Sequence, residues 1–102
     1  MIKKMNIVIV GLGTIGSYFY NYLNKNKNNI FDKTNTMPNI LYVSARSFNK
    51  KRDFSIPRKI WLKNYLSATK IKDVDIIVEL IGGAEGPAKK LVFEALKNKK
   101  HV

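Results

Sequence analysis

The feature that most constrains the fold of this chain is a glycine-rich turn close to its start. Gly11, Gly13 and Gly16 follow MNIVIV, a short apolar run at positions 5–10 that is rich in β-branched residues. Such a run is typical of a strand that is buried on both faces of a sheet. An amphipathic pattern follows the glycines, so the sequence predicts a strand, a tight turn and a helix in that order.

The spacing of these glycines matches the pattern G-x-G-x-x-G, and its place between a strand and a helix predicts a site for the diphosphate of a dinucleotide. Gly11 would permit the tight turn, Gly13 would let the backbone approach the diphosphate, and Gly16 would let the helix pack closely on the sheet. The N–H groups that would face the phosphates belong to Leu12, Thr14 and Ile15. A plain glycine turn in another kind of α/β protein is the alternative.

The helix after the turn is predicted from an apolar face with helical spacing, formed by Ile15, Phe19, Tyr22 and Leu23. Asn28 and Asn29 are expected to end this helix. A polar, turn-rich loop should follow as far as Pro38, and a second strand is predicted at 39–45.

Residues 46–70 are predicted to have less regular secondary structure. The sequence predicts an exposed basic loop at 46–59, a short third strand at 59–62 and an irregular helix from there to about Lys70. A second, nearly continuous apolar run then occupies 74–81 and predicts another buried strand.

A second helix is predicted after this strand. Pro87 suits the first helical position, where its missing N–H is not needed. The residues that keep the helical rhythm of a packed face are Ala88, Leu91, Val92, Ala95 and Leu96. Lys97, Lys99 and Lys100 are expected in the last turn, where positive charge suits the helix dipole. Alternation of buried strands with helices predicts an α/β domain with a parallel sheet.

The end of the second strand bears on which dinucleotide is bound. NAD sites usually place an acidic residue there to bind the ribose hydroxyls, whereas this chain has Ala45 and Arg46 and no acid between Lys33 and Arg52. The Arg46 guanidinium would hold a 2′-phosphate, which favours NADP, with NAD still possible. A solvated basic loop is the alternative, and Asp32 would point to NAD if the second strand lay at 29–33.

Ile81, Gly82 and Gly83 close the later strand at the same sheet edge as the glycine turn. Ligands of open α/β sheets bind along that edge. The missing side chains of the two glycines would let the backbone approach the nicotinamide half of the cofactor. A simple turn into the next helix fits the residues equally well.

Composition narrows the classes of function. A chain of 102 residues has room for one domain and not for a second, substrate-binding one. With no cysteine and a single histidine, the chain cannot form disulfides, cysteine or multi-histidine metal sites, or a catalytic triad. With no cysteine to form disulfides, the cytoplasm is the expected compartment. We expect no membrane partner, because no stretch is long and apolar enough to span a bilayer.

The net charge of +12 raises the alternative of a basic domain that binds nucleic acid. The lysines, however, are scattered through every segment and accompany many asparagines, as an A/T-biased coding sequence would produce. They form no helix stripe and no known binding motif. We therefore expect no nucleic-acid partner.

Three stretches resemble the N-terminal, NAD(P)-binding domain of homoserine dehydrogenase: VGLGTIGSYFYNYL, VSAR and VDIIVELIGGAEGPAKKLVFEALKNKKHV. The resemblance runs in order over the whole chain and is firmest over 74–102. It implies a Rossmann-like, doubly wound parallel sheet. Enzymes of this family reduce aspartate 4-semialdehyde to homoserine with NADH or NADPH, on the route to threonine and methionine. The resemblance implies three contacts: 11–16 with the pyrophosphate, 45–46 with the adenosine ribose or its phosphate, and 81–83 with the nicotinamide side.

The resemblance also implies that this chain is part of a larger enzyme. In the family, KHV continues into V-T-A-N-K, whose lysine belongs to the active site, and then into a substrate and dimerisation domain. Residues 1–102 match none of the family's catalytic residues, so we expect a fragment that contains the first half of the sheet. Only the complete enzyme is expected to bind substrate and to form a homo-oligomer. A strand as apolar as 74–81 is normally paired on both edges in a parallel sheet, and a chain that ended at Val102 would leave its outer edge uncovered. A free-standing module that senses a dinucleotide without catalysis is the alternative.

Overall fold

A parallel sheet forms the centre of the molecule. The computed structural model describes residues 3–46, 55–81 and 86–102. The strands and α-helices are, in chain order, β1 (Lys3–Val10), α1 (Thr14–Thr34), β2 (Thr36–Ser44), β3 (Ile76–Glu79) and α2 (Pro87–Lys97), with two 3₁₀ helices at Arg58–Ile60 and Tyr65–Lys70 before β3. The strand order is β2-β1-β3, and β1 pairs in parallel with both neighbours.

The central strand β1 is buried on both faces, as its apolar run predicts. Val8 and Val10 join one core cluster, together with Ile77 and with Leu91 of α2. The alternate residues of β1 join the opposite cluster, which contains Ile7, Ile9, Leu12, Tyr20, Leu23 and Val43. Since successive side chains of a strand point to opposite faces, the sheet separates α1 from α2 and is covered on both sides. The predicted Rossmann-like, partial α/β architecture is confirmed.

Helix α1 is longer than its sequence predicts. It continues through Asn28 and Asn29 to Thr34, so the loop expected before Pro38 is wrong, and β2 begins at Thr36. Asn28 and Asn29 are exposed, and a polar residue on the solvent face does not end a helix. The helix ends instead at Asn35, which adopts the left-handed conformation (φ 59°) and donates its N–H to the carbonyl oxygen of Phe31 at 2.7 Å.

The third strand predicted at 59–62 is wrong in extent. Its first residues form a 3₁₀ helix, and only Trp61 makes a parallel bridge, to Val43 of β2. The neighbouring Leu62 donates its N–H to the Val43 carbonyl at 2.8 Å. Because β1 occupies the other edge of β2, the chain at 61–62 extends the sheet beyond β2. The irregular helix expected up to Lys70 is confirmed as a 3₁₀ helix.

Strand β3 covers only the middle of the predicted run at 74–81. On its outer edge the N–H of Ile77 donates to the carbonyl of His101 at 2.8 Å, and Ile76 and His101 form a parallel bridge. The chain at His101, after α2, therefore pairs in parallel with β3. Helix α2 begins at Pro87 as predicted, but it ends at Lys97, so Lys99 and Lys100 lie beyond its last turn.

The side chain of Lys100 ties the end of α2 to the start of β3. Its ammonium group donates hydrogen bonds to the carbonyl oxygens of Ile71 at 2.6 Å, Lys72 at 3.3 Å and Val74 at 3.0 Å. A lysine ammonium has three donors, and each has an acceptor here. This contact fixes the turn that leads into β3.

We expect Lys100→Met to lower the free energy of unfolding by about 2 kcal/mol, because three carbonyls lose a charged donor while the apolar stem is kept. Urea denaturation of the chain measures the effect. Lys99→Met is the matched control, since the Lys99 side chain is exposed, and it should change stability by less than about 0.5 kcal/mol. Equal effects of the two variants would rule out a specific role for the Lys100 contacts.

Candidate dinucleotide-binding site

A cavity of about 620 Å³ opens at the carboxyl ends of the three strands. Its described lining comes from the ends of the strands and from the turns that follow them: Val10, Gly11, Leu12, Gly13, Ser44, Ala45, Arg46, Lys63, Tyr65, Leu80, Ile81 and Pro87. This is the edge at which open α/β sheets bind their ligands.

Gly11 is enclosed between the ends of the two outer strands. Its N–H donates to the carbonyl of Ser44 at 2.8 Å, beyond which β2 ends. On the other side, a Cβ atom at position 11 would lie 2.6 Å from the carbonyl carbon of Leu80 and 2.8 Å from the nitrogen of Ile81. The backbone also has φ +105°, a conformation that favours glycine. Any other residue would push the three strand ends apart.

Gly16 allows α1 to approach the turn closely. It is buried, and a Cβ atom there would collide with the carbonyl oxygen of Gly11 and lie 2.9 Å from the carbonyl carbon of the same residue. The first turn of α1 therefore rests directly on the backbone that leaves β1. This close packing fixes where the amino-terminal end of the helix points.

Gly13 meets no such restriction from the fold. A Cβ atom there would have no heavy atom of the described chain within 4 Å, and its φ of −74° is open to other residues. Space is therefore kept free in front of the helix, where a glycine is not needed for packing. A bulky ligand that approaches the backbone at this point would need that space.

The amino-terminal end of α1 carries N–H donors that no side chain in the ranges 3–46, 55–81 and 86–102 caps. Gly13 is the N-cap residue and has no side chain with which to cap the helix, and no acidic residue lies in the first turn. The first N–H groups of a helix have no partner within it, and the helix dipole is positive at this end. Thr14 and Ile15, which supply two of these groups, are exposed. An uncapped, positive helix end beside an open glycine turn fits the diphosphate of a dinucleotide.

Leu12 belongs both to the hydrophobic core and to the wall of the cavity. Its side chain is buried in the core cluster beneath α1, and the residue also borders the cavity. Its carbonyl accepts a hydrogen bond from the Ser17 hydroxyl at 3.0 Å, while the carbonyl of Gly13 accepts from the Ser17 N–H at 2.9 Å. These bonds hold the turn against the helix and leave its N–H groups for a ligand.

The end of β2 brings positive charge to the cavity. Ala45 is half-buried and Arg46 is exposed, and both line the cavity as the sequence predicts for residues after this strand. Asp32 lies in α1, so the alternative strand at 29–33 and its acidic residue are excluded.

Lys63 is a second cation at the cavity, and the sequence analysis missed it. It follows Leu62, whose carbonyl accepts a hydrogen bond from the Ser44 hydroxyl at 3.1 Å, and so it comes to the same edge as Arg46. The sequence could have shown this, because Lys63 follows the predicted strand at 59–62 and parallel strands end at the same edge of the sheet. The described lining of the cavity contains these two cations and no carboxylate.

The end of β3 forms the remaining wall. Leu80 donates its N–H to the carbonyl of Val10 at 2.8 Å, which places Ile81 next to the glycine turn, and Ile81 lines the cavity. Gly82 and Gly83 lie outside the described residues. In the described ranges, no three His, Asp or Glu side chains are placed to hold a metal ion, and no helix has the length and apolar character needed to cross a bilayer.

Fold and site together define a dinucleotide-binding domain with part of a Rossmann-like sheet. The chain belongs to the homoserine dehydrogenase NAD-binding domain family, whose model matches residues 11–102. A nicotinamide dinucleotide is therefore its class of cofactor.

Relatives support the same family. Homoserine dehydrogenase of Bacillus subtilis is 28% identical over 100 residues, covering 98% of this chain and 23% of its own. The enzyme of Neisseria gonorrhoeae is 34% identical over 98% of this chain and 22% of its own. A crystal structure of the S. aureus enzyme is 37% identical with a TM-score of 0.86, over 98% of this chain and 25% of that one. The chain thus spans about a quarter of the length of these relatives.

We expect the three glycines to differ in what the fold requires of them. Gly16→Ala should lower the free energy of unfolding by about 3 kcal/mol, because the added methyl group meets backbone that cannot move aside. Gly13→Ala is the matched control and should cost about 1 kcal/mol or less, since it only weakens an N-cap. Chemical denaturation monitored by circular dichroism measures both. An equal loss of stability in the two variants would contradict the open space described at Gly13.

Proposed function

We propose that this chain is the NADP(H)-binding part of a homoserine dehydrogenase, an oxidoreductase that reduces aspartate 4-semialdehyde to L-homoserine for threonine and methionine synthesis. Family membership supports the reaction. The observation that carries the proposal for the site is the open space at Gly13 in front of the uncapped end of α1. Substrate binding, catalysis and a homo-oligomeric assembly belong to the complete enzyme, and we assign no catalytic residue within 1–102. We place the enzyme in the cytoplasm, because its cofactor and substrates are small, charged, water-soluble molecules.

When bound, the nicotinamide dinucleotide supplies the hydride. The residues of this chain would bind and orient it. The N–H groups of Leu12, Thr14 and Ile15 would donate to the diphosphate, helped by the positive end of α1. Gly11 and Gly16 would hold those donors in place, since each fixes a close backbone contact that a side chain would break. Donors arranged before the ligand arrives lose little entropy when it binds.

Charge supports NADP as the dinucleotide. A 2′-phosphate adds negative charge to the adenosine ribose, and the described lining of the cavity offers Arg46 and Lys63 and no acid. A guanidinium can pair with a phosphate through two parallel hydrogen bonds, while an ammonium acts as a compact point charge. Arg46 would therefore be the main contact and Lys63 a weaker, second one.

The nicotinamide half would lie along the end of β3. Ile81 borders the cavity next to the glycine turn, and Gly82 and Gly83 follow it in the chain. In this proposal the glycine backbone approaches the nicotinamide side, while the β2 end holds the adenosine side. Such an arrangement spans the carboxyl edge of the sheet, as in other dinucleotide-binding domains.

A chimera tests the proposed activity. Residues 1–102 would replace the matching quarter of the S. aureus enzyme, and homoserine-dependent reduction of NADP would be assayed. We expect activity in the chimera and a loss of at least about tenfold in kcat/KM with Gly13→Val, because the added side chain fills the space meant for the diphosphate. Circular dichroism would check that both proteins fold. A folded chimera that binds no dinucleotide would refute the proposal.

We expect Arg46→Gln to weaken NADPH binding by about 10- to 150-fold, since a charged hydrogen-bonding partner is worth about 1.5–3 kcal/mol. NADH binding should change less than about twofold. Titration of the chain, followed by nicotinamide fluorescence, measures both constants. Lys59→Gln is the control for a general loss of positive charge, as Lys59 is exposed and outside the described lining. If Arg46→Gln weakened both cofactors equally, the preference assigned to Arg46 would be wrong.

A further inference from the structure

Tyr65 is the one aromatic residue in the described lining of the cavity, and nothing above gives it a role. It is the first residue of the second 3₁₀ helix, two positions after Lys63. It is half-buried, so part of its surface faces the cavity while the rest is packed.

The position of Tyr65 is fixed from several directions. The residue packs against the core cluster that lies between the sheet and α2. The preceding Asn64 caps the 3₁₀ helix, since its side-chain oxygen accepts from the N–H of Leu66 at 3.0 Å. Upstream, Leu62 is bonded to β2 through the N–H that it donates to Val43 at 2.8 Å. The ring is therefore held in place before any ligand binds.

The hydroxyl group of Tyr65 has no hydrogen-bond partner in the part of the chain that the structure describes. Tyrosines that are partly buried usually pair their hydroxyl group with a polar partner or with water. The hydroxyl group is therefore left to water, and the face of the ring is the part of the side chain that a flat, apolar ligand would contact.

Topology decides which end of the cavity this wall belongs to. The chain at 61–62 runs along the edge of β2 that faces away from β1, whereas Ile81 follows β3 on the opposite side of β1. Tyr65 comes three residues after Leu62, so its 3₁₀ helix starts from the β2 side of the cavity, which is the side proposed for adenosine, before it packs against α2.

We propose that the ring of Tyr65 packs against the adenine of the bound dinucleotide and positions the adenosine half for Arg46. This inference rests on the proposed function. Every base presents a π-face, and a rigid aromatic side chain contacts it at little entropic cost. Tyr65 is a positioning residue in this role, because it touches the half of the cofactor that does not react.

Binding of 2′,5′-ADP, which contains only the adenosine half, tests the inference. We expect Tyr65→Leu to weaken 2′,5′-ADP and NADPH by the same factor, about three- to tenfold, as aromatic contacts contribute about 0.5–1.5 kcal/mol. Tyr65→Phe, which keeps the ring, should stay within about twofold of the wild type. Tyr18→Leu is the control, because Tyr18 is an exposed aromatic residue on α1. Calorimetry with the 102-residue chain gives the constants.

A second test of the role of Tyr65 uses the wild-type chain without any substitution. Titration with 2′,5′-ADP should shift the ring NMR signals of Tyr65 and leave those of Tyr18 unchanged. If Tyr65→Leu left the affinity for 2′,5′-ADP unchanged, or lost affinity only for NADPH, the role of Tyr65 would be wrong while the proposed function would stand. Wild-type chain that binds neither ligand would overturn the proposed function and this inference with it.

Discussion

The contact between Gly16 and the carbonyl of Gly11 is the constraint on which the site depends. It lets the first turn of α1 rest on the backbone that leaves β1, while Gly11 itself fits between the ends of β2 and β3. Helix and strand ends are therefore fixed relative to each other by backbone atoms, which cannot change rotamer. As a result, the donors at the helix end face a space of defined width.

Burial of β1 on both faces provides the frame for this contact. Because its alternate side chains enter two separate core clusters, helices are needed on both sides of the sheet. Among the described elements, α1 follows the carboxyl end of β1 and α2 follows that of β3. The glycine turn, the β2 end and the β3 end therefore surround one cavity at this edge. The position of the site thus follows from topology, and the identity of the ligand from the few residues placed there.

Much of this was predictable from local pattern alone. The glycine turn, β1, the core of β3 and the start of α2 each rest on strong short-range signals, namely β-branched runs, G-x-G-x-x-G and Pro87. The predicted end of α1 is wrong because exposed asparagines do not stop a helix, whereas the left-handed cap at Asn35 does. The third strand is wrong in extent because its pairing depends on β2, a partner distant in sequence. The rule that places Arg46 at the cavity also places Lys63 there, since Lys63 follows this stretch. Tyr65 has no such signal, because it lies in the 3₁₀ helix beyond.

The three carbonyls that surround the Lys100 ammonium have a consequence for chemical labelling. The Lys100 nitrogen is held by three carbonyl oxygens, so amine-reactive reagents should modify it only when its side chain leaves these acceptors. The rate of its acylation, compared with that of the exposed Lys99, therefore reports how often the contact between the end of α2 and the turn at 71–74 is broken. This residue is a native probe of local opening at the turn that precedes β3.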